Sequence, residues 1–159
     1  MTDFKICSLN VKGLRDRNKR RELFLWLREK TFSLYFLQET HSTVNDITCW
    51  NNEWDSKAIW SHGTSNSKGT AILFHSKFDC SIIKSVADPN GRYVIIDIKV
   101  SEKIFTCVNI YAPNDDCPQF FVQIDNMLDQ FQGDNIIYGG DFNCILNLSL
   151  DNKRGQTAY

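Results

Sequence analysis

The sequence has no CxxC pair among its six cysteines, no apolar run long enough to span a membrane, no excess of positive charge and no internal repeat. Each absence removes a class of protein. Cysteines at 7, 49, 80, 107, 117 and 144 form neither a zinc-binding spacing nor a disulfide framework. Cys7 and Cys107 fall inside strand-like segments and read as small apolar residues of a reducing compartment. The opening residues, MTDFKICSLN, contain no apolar leader core, so an intracellular location, nuclear or cytoplasmic, is expected, with no secretion and no membrane partner. A net charge of −1 and a pI near 6.3 exclude a global basic field, leaving nucleic-acid binding only to a local patch. What remains is a chain of 159 residues, 42% hydrophobic and 23% charged, the size and composition of one globular domain. No protein partner can be inferred.

The elements alternate between the two periods. Phe4–Val11 reads as a strand broken by Gly13, and Leu23, Trp26 and Leu27 then follow helical spacing to about Lys30. Leu34–Gln38 (LYFLQ) is a short apolar strand. Ser42 is the expected N-cap of a helix carrying Ile47, Trp50 and Trp54. Hairpins are expected from Lys57–His62 with Gly69–His75, and from Phe78–Val86 with Arg92–Val100 around the turn Asp88-Pro89-Asn90-Gly91. Ile104–Tyr111 is a further strand. A helix from Pro118 to Gln132 has an apolar face of Phe120, Ile124, Met127, Leu128 and Phe131, and leads into the strand that begins at Asn135.

Several strands are apolar along their length and polar at the C-terminal end: Asn10 after FKICSL, Glu39 after LYFLQ, Asn109 and Tyr111 in FTCVNIY, Asp141 and Asn143 after NIIYGG. In sheets flanked by helices, ligands gather at the carboxyl ends of strands. If the chain stays extended through NIIYGGDFN, Asp141 and Asn143 share a face and Phe142 packs on the other, while the two preceding glycines allow close approach of a ligand.

SLNVKGL, LQETH, SKGTAILF, NIYAPN and GGDFN occur in this order, and the sequence thereby resembles the endonuclease/exonuclease/phosphatase superfamily. The form of LQETH and NIYAPN is most similar to the apurinic/apyrimidinic-type endonucleases of non-LTR (LINE-like) retrotransposons. The resemblance implies an α/β (α+β) fold: a two-sheet β-sandwich flanked by helices, in four layers. It implies metal-dependent phosphodiester hydrolysis, with Mg²⁺ (Mn²⁺ possible) as cofactor and DNA as substrate and partner. Carried over residue by residue, Glu39 is the principal metal ligand with Asn10 beside it. Tyr111 donates to a phosphate oxygen, Asp141 orients or deprotonates the attacking water, and Asn143 steadies the transition state. Plain alternatives exist: Asn10 and Asn143 as turn caps, Tyr111 as core packing with its hydroxyl at the rim. His41 is expected to be structural, and no chemistry is assigned to His62 or His75.

The segment Lys12–Arg21 holds six of the eighteen Lys and Arg residues, and Arg15, Arg17 and Arg20 are candidate contacts to nucleic-acid phosphates. The family's late Ser-Asp-His-type motif does not occur up to Tyr159. The expectation is therefore an N-terminal portion of the domain over residues 1–151 and a polar tail over 152–159, with the sandwich incomplete at its C-terminal end. A non-catalytic remnant is the alternative to the nuclease, and a phosphatase of the same superfamily is a third reading.

Overall fold

Alternation along the strands sets the layers. In the computed structural model, which describes residues 4–115 and 117–144, the central strand β2 (Leu34–Gln38) is buried on both faces. Leu34 and Phe36 point one way and Tyr35 and Leu37 the other, into two different cores. A strand so placed must lie in a sheet covered on both sides. β2 pairs in parallel with β1 (Ile6–Asn10) and antiparallel with β4 (Thr70–Phe74), whose other neighbour is β3 (Ala58–Ser61). The second sheet runs β5 (Ser81–Ala87), β6 (Tyr93–Val100), β7 (Lys103–Tyr111), β8 (Asn135–Asp141). Its last pair, β7 with β8, is parallel.

Three cores separate four layers. Helices α1 (Arg17–Glu29) and α2 (Ile47–Trp54) cover the first sheet, through Phe24, Leu27, Trp50 and Trp54. The two sheets face each other across Phe36, Ile72, Val94, Ile96 and Cys107. Helix α3 (Pro118–Leu128) covers the second sheet with Phe120 and Ile124. The expected α+β sandwich flanked by helices is therefore observed. Cys107 lies in the inter-sheet core, where burial pushes its thiol up to about 12. Among the described residues, no helix is long and apolar enough to cross a membrane.

Four element ends differ from the sequence reading, each for a local reason. α1 begins at Arg17 because Asp16 caps it, accepting the Lys19 N–H at 2.7 Å. Ser42 is not the cap of α2: its hydroxyl is buried against Thr40 and the His62 ring. Thr43 and Asp46 instead open a short 3-10 turn, Val44–Asp46, ahead of α2, with both the N–H and the hydroxyl of Thr43 on the Asp46 carboxylate. α3 stops at Leu128. Beyond it the N–H groups of Gln130 and Phe131 turn back to the carbonyls of Met127 and Leu128, and that of Gln132 is taken by the fully buried Asp97 at 2.7 Å. The strand expected from Phe78 begins at Ser81, and Phe78 packs on Phe4 instead. Residues 145–159, including the tail expected over 152–159, lie outside the described residues.

Candidate active site

Two parallel pairs bring four strand ends to one edge of the sandwich. β1 and β2 end together in one sheet, with Asn10 opposite Gln38. β7 and β8 end together in the other, with Tyr111 opposite Asp141. The period of two then selects the side chains: Ser8 and Asn10, Asn109 and Tyr111, Gly139 and Asp141 lie on the faces that look across the gap between sheets. Polar residues at those positions interrupt an otherwise apolar inter-sheet core at one end only.

Asn10 joins the two sheets. Its Nδ2 donates to Glu39 Oε1 and to Asp141 Oδ2, both at 2.9 Å. Its Oδ1 accepts the Lys12 N–H at 3.1 Å, which orients the amide so that nitrogen, not oxygen, faces the carboxylates. Tyr111, opposite Asp141 at the end of β7, stands beside Glu39. Burial raises the Tyr111 pKa, and the adjacent Glu39 and Asp141 carboxylates push it the same way against the pull of Arg92, so the phenol keeps its proton at neutral pH. Glu39 and Asp141 come from residues 102 positions apart, and the geometry brings them together with Asn10 and Tyr111.

Asn143 sits beside this group in a different way from that expected. The strand ends at Asp141, and Asn143 turns left-handed with φ +46°. Its backbone N–H donates to Asp141 Oδ1 at 3.2 Å and its side-chain amide to the Ala112 carbonyl at 2.7 Å. Phe142 lies against Phe121 of α3. Glu39 is also left-handed (φ +54°), as are Lys12 (+48°) and His41 (+55°). Non-glycine residues in this region are strained, and such strain collects where a side chain must be aimed.

The loop bearing Glu39 is held by the segment before β4. Thr40 and His41 donate their N–H groups to the carbonyls of Gly69 and Lys68, both at 2.9 Å. Gly69 has φ +90°, and a Cβ there would stand 2.3 Å from Thr40 Oγ1. LQETH and SKGTAILF are thus two halves of one support. The His41 ring lies over Gly13 and 3.9 Å from Glu39; burial lowers its pKa, Glu39 opposes this and Lys19 adds to it, leaving a neutral imidazole in a structural position. His62 is likewise spent on Ser42.

The basic segment divides. Arg20 is buried, its guanidinium bonded to Glu53 and to the Leu14 carbonyl and stacked 4.7 Å over Trp50. The expectation that it touches nucleic acid is corrected: its charge is committed to joining α1 and α2. Arg17 is open, with 73% of its side chain exposed. Arg15 is 45% exposed and pairs with Asp46. A cation the sequence reading passed over is Arg92, whose guanidinium stacks 5.0 Å over the Tyr111 ring and donates to the Tyr111 and Ala112 carbonyls at 3.3 and 3.2 Å. Its signal was its place: it follows the Asp88–Gly91 turn at the edge where Tyr111 closes β7.

Among the described residues, no group of three or more His, Cys, Asp or Glu side chains forms a metal cage. Two carboxylates with an amide and a phenol are an all-oxygen and N–H set. Mg²⁺ suits such a set, since it takes one or two carboxylates and keeps the rest of its shell for water and phosphate.

The Endonuclease/Exonuclease/phosphatase family profile matches residues 7–152. The chain belongs to this family. Over 145 residues, 89% of this chain, it is 30% identical to the Transposon TX1 uncharacterized 149 kDa protein of Xenopus laevis, of which it spans 11%. Two solved structures share the fold. D. rerio TDP2 complexed with a single-strand DNA product has a TM-score of 0.65 at 18% identity, covering 94% of this chain and 64% of that one. The endonuclease domain of TRAS1, a telomere-specific non-LTR retrotransposon, has a TM-score of 0.61 at 15% identity, covering 90% and 62%. The chain thus spans less than two thirds of each of these three proteins.

Proposed function

We propose that this family member carries the metal-binding half of a divalent-metal-dependent DNA phosphodiesterase, of the nicking type found in retroelements. The observation that carries the reading is the Asn10 amide held between Glu39 and Asp141, one carboxylate from each sheet. Half-buried like charges held this close repel unless something positive belongs between them. Here a single NH₂ group partly fills that need. Mg²⁺, once bound, neutralises charge on the phosphate and on the leaving oxygen. Glu39 is its principal ligand in this reading.

The protein's own groups do the rest. Asn10 keeps the two carboxylates at a fixed spacing. Tyr111, protonated, donates to a non-bridging phosphate oxygen as charge grows there. Asp141 accepts from the attacking water and aligns it. Asn143 reaches the phosphate by exchanging the Ala112 carbonyl for a phosphate oxygen. The transposon likeness of the sequence and the retrotransposon endonuclease among the fold neighbours favour DNA over an inositol or lipid phosphate.

The test is conversion of supercoiled plasmid to open circles in Mg²⁺, with EDTA as the blank. The expected result is nicking that falls about 10²-fold or more in Glu39→Gln and in Asp141→Asn. Retarded plasmid with no nicking supports the non-catalytic alternative.

A further inference from the structure

Below the candidate site lies a second polar bridge between the sheets, made by residues with no assigned chemistry. Asn109 of β7 is fully buried, as is Gln38 of β2 at 1% exposure. Gln38 Nε2 donates to Asn109 Oδ1 at 2.8 Å and to Ser8 Oγ at 3.1 Å. Asn109 Nδ2 crosses to the other sheet and donates to the Leu37 and Ala71 carbonyls at 3.0 and 2.9 Å, on two neighbouring strands. Next to it the sheets approach closely: Gly139 pairs with Asn109, and a Cβ on Gly139 would stand 2.8 Å from the Phe36 ring.

A buried amide pair adds little net stability over apolar residues of the same shape, because each group loses water to gain a partner. What it adds is direction. An apolar inter-sheet contact can slide; three fixed hydrogen bonds between the sheets cannot. The bridge is one residue from Glu39 along the chain and two from Tyr111, on the same face as Tyr111. Whatever sets the offset of the sheets at Asn109 therefore also sets the distance from Glu39 to Asp141.

We infer that Asn109 and Gln38 are a positioning pair that fixes the offset between the two sheets and so holds the carboxylates of Glu39 and Asp141 within reach of one another. The inference rests on reading this cluster as the site, and not on its chemistry. In the metal-free chain the Asn10 side-chain NH₂ reports the spacing directly, since its two bonds run to opposite sheets.

The experiment follows that NH₂ group by ¹⁵N NMR and hydrogen exchange in the full chain, in Asn109→Leu and in Gln38→Met. The second variant keeps the bonds from Asn109 to the backbone and serves if the first does not fold. Phe74→Leu, at the far end of the inter-sheet core, controls for general loosening. The expected result is that the Asn10 signals collapse toward free-amide shifts and exchange about tenfold faster in the bridge variants, and keep their position in Phe74→Leu. Unchanged Asn10 signals in Gln38→Met, or equal loss in Phe74→Leu, overturn the inference. A parallel Mn²⁺ titration separates the two readings. If the unaltered chain binds no Mn²⁺ but the Asn10 signals respond as stated, the metal reading falls and the positioning pair stands.

Discussion

Arg92 shows how much of a site is set by a residue outside its motifs. Its guanidinium touches the ring and carbonyl of Tyr111, so it fixes the phenol and keeps a positive charge near the carboxylates. Arg92→Ala is expected to lower nicking about tenfold while leaving the folded chain intact, and Arg92→Lys to recover only part of it, because lysine cannot stack and donate to two carbonyls together. Plasmid nicking beside a thermal melt checks this; equal rates in Arg92→Ala and the unaltered chain contradict it. Asn10 and Asn143 mark what sequence alone could place. Both were expected at the site from their positions after apolar strands, and in the fold both hydrogen-bond to Asp141. Their partners were not readable. Asn10 turns nitrogen inward because the Lys12 N–H claims its oxygen, and Asn143 leaves the strand line because the chain turns left-handed after Asp141.

Elements were readable where periodicity was strong and misread where side chains capture the backbone. The strands delivering Asn10, Tyr111 and Asp141 follow from apolar runs of period two. The early start of α1 follows from Asp16, and the early end of α3 from Asp97, a residue distant in sequence. Arg20 was misjudged for the same reason. A cation in a basic run looks solvated until its partner, Glu53 on α2, is known. The Arg20 hydrogen bond first, and then the charges of Arg20, Arg17 and Arg21, outweigh partial burial and hold the Glu53 carboxyl below its ordinary value. A depressed carboxyl stabilises the fold fully above its unfolded pKa and loses that contribution as pH falls through the folded value. Melting temperature should therefore drop on acidification below about pH 4.5, and less steeply in Glu53→Gln. Arg20→Ala, which removes both hydrogen bonds to the half-buried Glu53 carboxylate and leaves it only the longer Arg17 contact, should cost about 3 kcal/mol at neutral pH by denaturant titration. Gly69→Ala should cost about 1–3 kcal/mol, since the new Cβ meets Thr40 Oγ1 and φ is +90°.

For the whole molecule, the proposed function depends on two sheets meeting at one edge. Each sheet alone holds half of the cluster. Charge is local in the same sense: with a net charge of −1, the chain can attract a polyanion only through a patch. The exposed Arg17 and half-exposed Arg15 are the candidates left once Arg20 is removed from that set. Replacing Arg15 and Arg17 together should flatten the salt dependence of DNA binding by about one unit per lost phosphate contact. Salt titrations of binding by fluorescence anisotropy check this, and an unchanged slope removes the patch. Sequence order revealed the motifs; it could not reveal that the Asn10 amide closes the gap between sheets, because that contact spans 131 residues.

The most direct measurement is calorimetric titration of Mg²⁺ into the unaltered chain, Glu39→Gln, Asp141→Asn and the double variant. One site per chain is expected, weakened about tenfold or more by Glu39→Gln and abolished in the double variant, with the two single effects not additive because both act at one ion. Equal binding in all four proteins, or independent losses from two separate sites, would contradict the shared pocket.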